Sequence, residues 1–132
     1  MEASKIFKKL LVHKANRLLI YNAPDHYEAI CHGISFDRQF TNAEKNVYDF
    51  IQIFAQKQEE LEAILPQIIP YATYDGLFWI CYPKGTGNIK SNINRSTTWE
   101  AFSLINYKPV TQVAIDQTWT AMRGRPVDRV GK

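Results

Sequence analysis

The sequence has few of the features by which chemistry is usually recognised. Its two cysteines, Cys31 and Cys81, lie far apart without CxxC spacing, so we expect free, buried thiols and no disulfide. Long apolar runs are also missing. The densest run, residues 77–82, is much shorter than the roughly 20 residues of a membrane helix. We therefore predict that the chain does not enter a membrane.

The sequence also shows no signal-peptide pattern and no strong charge of one sign. Residues 1–11 are basic, but the apolar run at residues 10–12 is shorter than the core of a signal peptide, so we expect a cytoplasmic protein. Sixteen Lys and Arg against thirteen Asp and Glu give a net charge of +3, and much of this excess lies in the two termini. No aromatic RNA-binding pattern accompanies it, so nucleic acid is not an expected partner.

Three glycine-dependent motifs are absent. No GxGxxG follows the first predicted strand, which ends instead in Asn22-Ala23-Pro24-Asp25. Without those glycines a dinucleotide or S-adenosylmethionine cannot approach the backbone closely. Neither the phosphate-binding GxxxxGK[ST] nor the hydrolase GxSxG occurs, and the three histidines show no metal-binding spacing. We predict no catalytic residue, no metal site and no cofactor, which favours a protein that is not an enzyme.

The chain does contain alternating buried runs and amphipathic helices. Apolar runs at residues 17–21, 47–55 and 77–82 predict buried strands, with a weaker edge strand at 34–40 and a turn at Asp75-Gly76 before the third run. A helix that starts between residues 94 and 97 is predicted to bury Trp99, Phe102 and Leu104, with Asn94 or Thr97 as its cap and Glu100 three residues after Thr97, as in a capping box. Residues 109–115 and 118–123 predict a hairpin.

This order indicates the fold. Strands that alternate with helices form a parallel sheet, and right-handed crossovers place helices on both of its faces. We predict an α/β protein, a three-layer Rossmann-like sandwich with a mainly parallel sheet and a C-terminal antiparallel hairpin. Residues 1–123 form the single domain, and residues 124–132 form a basic, flexible tail.

Ligands of such folds lie at the carboxyl ends of the strands. There the sequence places Asn22 and Asp25 after the first strand, Lys57 after the second, and Lys84 and Thr86 in the glycine-rich loop after the third. This set predicts a site for a small anionic ligand. For individual residues, a structural role is favoured over ligand binding. Asp25 is expected to interact with a helix terminus, and residues 84–90 are expected to form a solvent-exposed connection.

Three segments carry a resemblance to a known family. They are residues 19–24, the aromatic strand with Trp79 before Tyr82-Pro83-Lys84, and the closing residues 114–119, which include Asp116 and Trp119. Over residues 10–122 the chain resembles a family of short, mainly bacterial Rossmann-like proteins known as a domain of unknown function. The resemblance implies that the missing glycine turn is a family trait, and it supplies no activity, cofactor or catalytic residue.

Two functions follow as hypotheses. The favoured one is a non-catalytic binding or interaction module, acting through protein contacts or through a small anionic ligand at the strand ends. The alternative is a diverged transferase that binds S-adenosylmethionine or a nucleotide, because the strand pattern with its closing hairpin is shared with methyltransferases. The aromatic hairpin also offers a seam for a homodimer.

Overall fold

The structure is a computed structural model that describes residues 2–40, 43–85 and 89–131. Four helices and five strands account for most of these residues. In chain order the elements are α1 (Glu2–Lys9), β1 (Leu18–Tyr21), α2 (Asp25–Ile30), β2 (Tyr48–Phe54), α3 (Gln58–Ile68), β3 (Ala72–Pro83), α4 (Arg95–Ser103), β4 (Tyr107–Ala114) and β5 (Trp119–Pro126).

The five strands form one sheet in the order β1-β2-β3-β5-β4. The first three strands are parallel, β5 runs antiparallel to β3, and β4 and β5 form the C-terminal hairpin. The predicted α/β fold, with a mainly parallel sheet and an antiparallel hairpin, is therefore confirmed.

Helices cover both faces of this sheet because its strands are apolar on both sides. One face packs against α3 and α4, through side chains such as Leu61, Leu65 and Phe102. The opposite face packs against α1 and α2, through Ile6 and Phe7 of α1 and Tyr27 of α2. Successive strand residues alternate between the two cores. The first core contains Leu19, Ile51, Ile53, Phe78 and Ile80, and the second contains Leu18, Ile20, Phe50, Phe54 and Trp79.

A polar group lies in the middle of the second core. Gln52 is fully buried on β2. Its Oε1 accepts a hydrogen bond from the Tyr27 hydroxyl at 3.1 Å, and its Nε2 donates to the Cys81 Sγ at 3.4 Å. Both polar ends of the amide therefore have a partner, which removes most of the cost of burying it.

The predicted edge strand at residues 34–40 is reduced to one bridge. Asp37 pairs in parallel with Leu19, donates its backbone N–H to the Leu18 carbonyl and accepts from the Ile20 N–H. Its carboxylate binds Arg17 at 2.9 Å and the Tyr48 hydroxyl. These partners hold the segment against β1 without a continuous ladder.

The predicted turn at Asp75-Gly76 lies inside β3. Asp75 has φ +58°, a conformation that costs energy for a residue with a side chain. Arg125 of β5 binds the Asp75 carboxylate through Nε and Nη2 at 2.9 and 2.8 Å. This bidentate pair, remote in sequence, lets the strand continue through an irregular position.

Strand β5 extends beyond residue 123, the predicted end of the domain. The strand continues to Pro126, and a 3-10 turn follows over Val127–Arg129. Gly124 packs beneath the ring of Phe102. Residues 124–126 are thus part of the sheet.

Helix α4 begins within the predicted range, but two of the three side chains predicted to be buried are exposed. Its N-cap is Asn94, whose Oδ1 accepts from the Thr97 N–H at 3.0 Å while Thr97 Oγ1 accepts from the Asn94 N–H at 2.8 Å. Phe102 is buried as predicted, but Trp99 and Leu104 are 50% and 53% exposed. The helix therefore shows a large aromatic side chain to solvent.

Two further predictions concern the cysteines and the membrane. Cys31 and Cys81 are both free and buried, as expected, and burial raises the pKa of each thiol to about 12. The longest helix in the described part of the chain, α3, has eleven residues, and none of the helices there has the length and apolarity of a transmembrane span.

Candidate functional site

The carboxyl ends of β1, β2 and β3 lie at one edge of the sheet. Asn22, Ala55 and Lys84 are the residues that follow these strands. The β4–β5 turn reaches the same edge, because Pro83 at the end of β3 pairs with Trp119 at the start of β5. Four chain segments therefore surround this edge, as expected for a binding site in an open α/β sheet.

Asn22 closes the end of β1 instead of leaving it open. It has φ +62°, and its Nδ2 donates to the Phe54 carbonyl at 3.1 Å. Ala23 and Pro24 follow, and Pro24 caps α2 without a side-chain hydrogen bond. The Asn22 amide thus ties β1 to β2, and it lines a shallow cavity of about 310 Å³ against α3.

The other predicted residues lie apart from Asn22. Asp25 is the exposed first residue of α2, where the positive end of the helix dipole stabilises its carboxylate. Lys57 is exposed and immediately precedes α3. Thr86 lies outside the described residues. Asn22 and Lys84 therefore share an edge of the sheet but line different cavities, and Asp25 and Lys57 line neither of these two.

Lys84 belongs to a depression at this edge, which we call the Lys84–Arg95 cavity. It has a volume of about 730 Å³ and lies between the end of β3, the start of α4 and the hairpin. Its polar wall residues include Lys84, Ser91, Arg95, Gln112 and Thr120. A volume of this size is typical of small-molecule sites.

Two cations set the electrostatics of this cavity. Lys84 is fixed to the hairpin turn, since its N–H donates to the Thr118 carbonyl at 2.7 Å and its Nζ donates to the Asp116 carbonyl at 2.5 Å. An ammonium has three donors, and Nζ uses one of them within the described residues. Arg95 begins α4, where the helix dipole adds positive potential.

The remaining wall residues add hydrogen-bonding groups without negative charge. Gln112 Nε2 donates to Thr120 Oγ1 at 3.3 Å, and Thr120 Oγ1 donates to the Val113 carbonyl at 3.2 Å. Burial raises the pKa of Tyr82, which the positive charge of Arg95 opposes. No described wall residue is acidic. The cavity suits a small molecule that carries an anionic group.

A histidine–aspartate pair lies on the other side of the hairpin turn. His26 Nε2 is 2.9 Å from Asp116 Oδ2, and Asp116 Oδ1 accepts from the backbone N–H groups of Thr118 and Trp119 at 2.8 and 2.7 Å. Burial acts to raise the pKa of Asp116, but these donors outweigh it and place the pKa below its usual value. Asp116 therefore accepts hydrogen bonds from two backbone amides of the hairpin turn.

Sequence reasoning missed Arg95, Gln112 and Thr120. Arg95 could have been found, because the capping signal at residues 94–97 predicts a helix N-terminus near it. Gln112 and Thr120 give no such signal, since only the hairpin register brings them beside the end of β3. In residues 2–40, 43–85 and 89–131 no group of three or more His, Cys, Asp or Glu could hold a metal ion.

No family model matches this chain, and no curated protein matches it in sequence. Solved structures do match it over nearly its whole length. A magnesium protoporphyrin IX methyltransferase from Synechocystis, with bound SAH, aligns with 94% of this chain and 83% of its own at a TM-score of 0.62 and 6% identity. The fold is that of the Rossmann-like methyltransferases.

Two more solved methyltransferases support this assignment of the fold. A SAM-dependent methyltransferase from Aquifex aeolicus matches 94% of this chain and 98% of its own, with a TM-score of 0.58 and 13% identity. A Burkholderia thailandensis N1-methyltransferase, with 1,6-didemethyltoxoflavin and S-adenosylhomocysteine bound, matches 95% and 78% at a TM-score of 0.58 and 10% identity. At such low identities the shared property is the fold.

Proposed function

We propose that this protein is a diverged transferase of the methyltransferase fold that binds S-adenosylmethionine or a nucleotide. The observation that carries the proposal is the Lys84–Arg95 cavity, which opens at the carboxyl edge of the sheet and presents two cations to it. The proteins of similar fold whose structures contain SAH make an adenine-containing ligand the first candidate. We also propose that the chain belongs to the family of short Rossmann-like proteins that it resembles.

The ligand is displaced along the edge from the end of β1. There the Asn22 side chain bonds to the Phe54 carbonyl, and Pro24 removes a backbone donor, so the turn cannot hold a phosphate or a methionine group as a glycine-rich turn does. Open volume with positive charge lies at the end of β3 instead. We therefore place the anionic group of the ligand between Lys84 and Arg95.

Isothermal titration calorimetry tests the proposal with AMP, ATP, S-adenosylmethionine and S-adenosylhomocysteine. We expect at least one of them to bind, and Lys84→Ala or Arg95→Ala to weaken it at least about tenfold, since each removes a charge-assisted hydrogen bond. Lys57→Ala is the matched control, because Lys57 follows the neighbouring strand outside the described cavity walls. Absence of binding at millimolar concentration, or equal affinity in all variants, would overturn the proposal.

A non-catalytic anion-binding module is the second candidate. It is favoured by the cavity wall, whose described residues supply cations, hydroxyls and two amides but no carboxylate or imidazole to act as a general base. Incubation with methyl-labelled S-adenosylmethionine and small acceptors separates the two functions. Transfer of label that requires Lys84 supports the transferase, whereas binding of inorganic phosphate as tight as that of AMP, without transfer, supports the module.

A further inference from the structure

The Lys84–Arg95 cavity continues along α4 and β4. A second, smaller depression of about 100 Å³ lies next to it, and the two share Arg95 and Gln112 as wall residues. The smaller depression is lined on its far side by Trp99 and Val110. Together the two depressions form one groove, charged at the Lys84 end and apolar at the Trp99 end, which we call the α4–β4 groove.

Trp99 is the feature that gives this groove a specificity. Its side chain is 50% exposed, whereas Trp79 and Trp119 are fully buried in the core. Trp99 follows Arg95 by four residues on α4, so the two side chains lie on the same face of the helix. Val110 of β4 is exposed as well, so the indole has an apolar neighbour across the groove.

We propose that the α4–β4 groove binds an adenine-containing ligand with its base stacked on Trp99 and its anionic group between Arg95 and Lys84. The inference rests on the proposed function and adds the recognition of the base. An exposed indole offers a flat π-surface on which a base stacks without hydrogen-bond readout, and Arg95 lines both depressions. The adenine is common to AMP and S-adenosylhomocysteine, so their relative affinities identify whether a phosphate or an amino-acid carboxylate suits the cations.

Tryptophan fluorescence reports on this groove with little interference. Because Trp79 and Trp119 are buried, iodide added to the native protein quenches mainly Trp99. We expect AMP to lower the emission of Trp99 and to protect the remaining emission from quenching by iodide. Inorganic phosphate bound at Lys84 should change neither the emission nor its quenching by iodide. In the Trp99→Phe variant the AMP-dependent change should disappear, although binding measured by calorimetry persists.

Affinity provides the second measurement. Trp99→Ala should weaken AMP at least about fivefold, and Trp99→Phe should retain most of the affinity, because stacking on an aromatic ring contributes in this range. The inference is overturned, and the proposed function kept, if AMP binds in a Lys84-dependent manner while the Trp99 emission and the affinity of Trp99→Ala stay unchanged. If no adenine-containing ligand binds, both proposals fail. The quenching experiment on the wild-type protein tests stacking of the base on Trp99 even if a variant folds poorly.

Discussion

Replacing Gly124 with alanine should destabilise the protein more than the same replacement at any other glycine that the structure describes. An ideal Cβ at Gly124 lies 2.3 Å from Phe102 Cε1 and 2.7 Å from Cδ1 and Cζ, about 1 Å inside ordinary contact. The ring cannot withdraw, because Phe102 is fully buried, stacks on Tyr107 and meets Phe78 edge-on. Overpacking costs about 1–3 kcal/mol, and this overlap places the expected loss near 3 kcal/mol.

Urea unfolding followed by circular dichroism measures this loss. Gly33→Ala is the matched control, because nothing lies within 4 Å of its Cβ. It should be neutral or stabilise the protein by up to about 1 kcal/mol, by restricting the unfolded chain. The wild type and Gly124→Ala should have similar denaturant slopes, so that the difference in midpoint reports stability alone.

A double-mutant cycle tests the cause. In a Phe102→Leu background the ring edge is missing, and Gly124→Ala should then cost at least about 1 kcal/mol less than in the wild type. The reasoning is refuted if Gly124→Ala unfolds within about 0.5 kcal/mol of the wild type, or if its cost is the same in both backgrounds.

Three further outcomes are expected. Asn22→Gly keeps the left-handed backbone but loses the hydrogen bond to the Phe54 carbonyl, so it should lower the free energy of unfolding by about 1 kcal/mol. Asn22→Ala also strains the backbone and should lower it by about 1 kcal/mol more in the same urea assay. Equal losses in the two variants would contradict this reasoning. Because the pKa of Asp116 is depressed in the folded protein, its stabilisation is present above the unfolded value of about 3.9 and is lost as pH falls through the folded value. Thermal unfolding of Asp116→Asn between pH 7 and pH 2.5 should show a flatter acid limb, and an unchanged limb would exclude this role. Finally, the Cys81 thiol, with its pKa raised to about 12, should react with a disulfide reagent at least about 100-fold more slowly in native protein than in urea; fast native labelling would show that the core opens.

The fold class was predictable because its signals are local. Apolar runs in β1, β2 and β3 exceed what a half-exposed strand would carry, and turn residues separate the helices from them. The long-range pairs had no such signal. Arg125 stabilises Asp75 across fifty positions of sequence, so a dipeptide typical of turns became part of β3.

The candidate site was predictable in part for the same reason. Lys84 follows a buried strand, so the rule for strand ends places it correctly. Asn22 obeys the same rule, but its amide is used by the Phe54 carbonyl, a contact that depends on the pairing of β1 with β2. Trp99 was predicted to be buried from helical spacing, which cannot tell which apolar side chain of α4 lies beyond the rim of the sheet.

The buried amide of Gln52 has a consequence for how the strands find one another. Residues 50–54 of β2 and 77–82 of β3 are apolar apart from Gln52, so a slip by two residues would preserve both hydrophobic faces. Such a slip would separate Gln52 from Tyr27 and Cys81 and leave a polar group without partners in the core, at a cost of about 1–3 kcal/mol. The Gln52 side chain thereby makes sheets with a shifted register less stable than the native sheet, and so favours the correct pairing of β2 with β3.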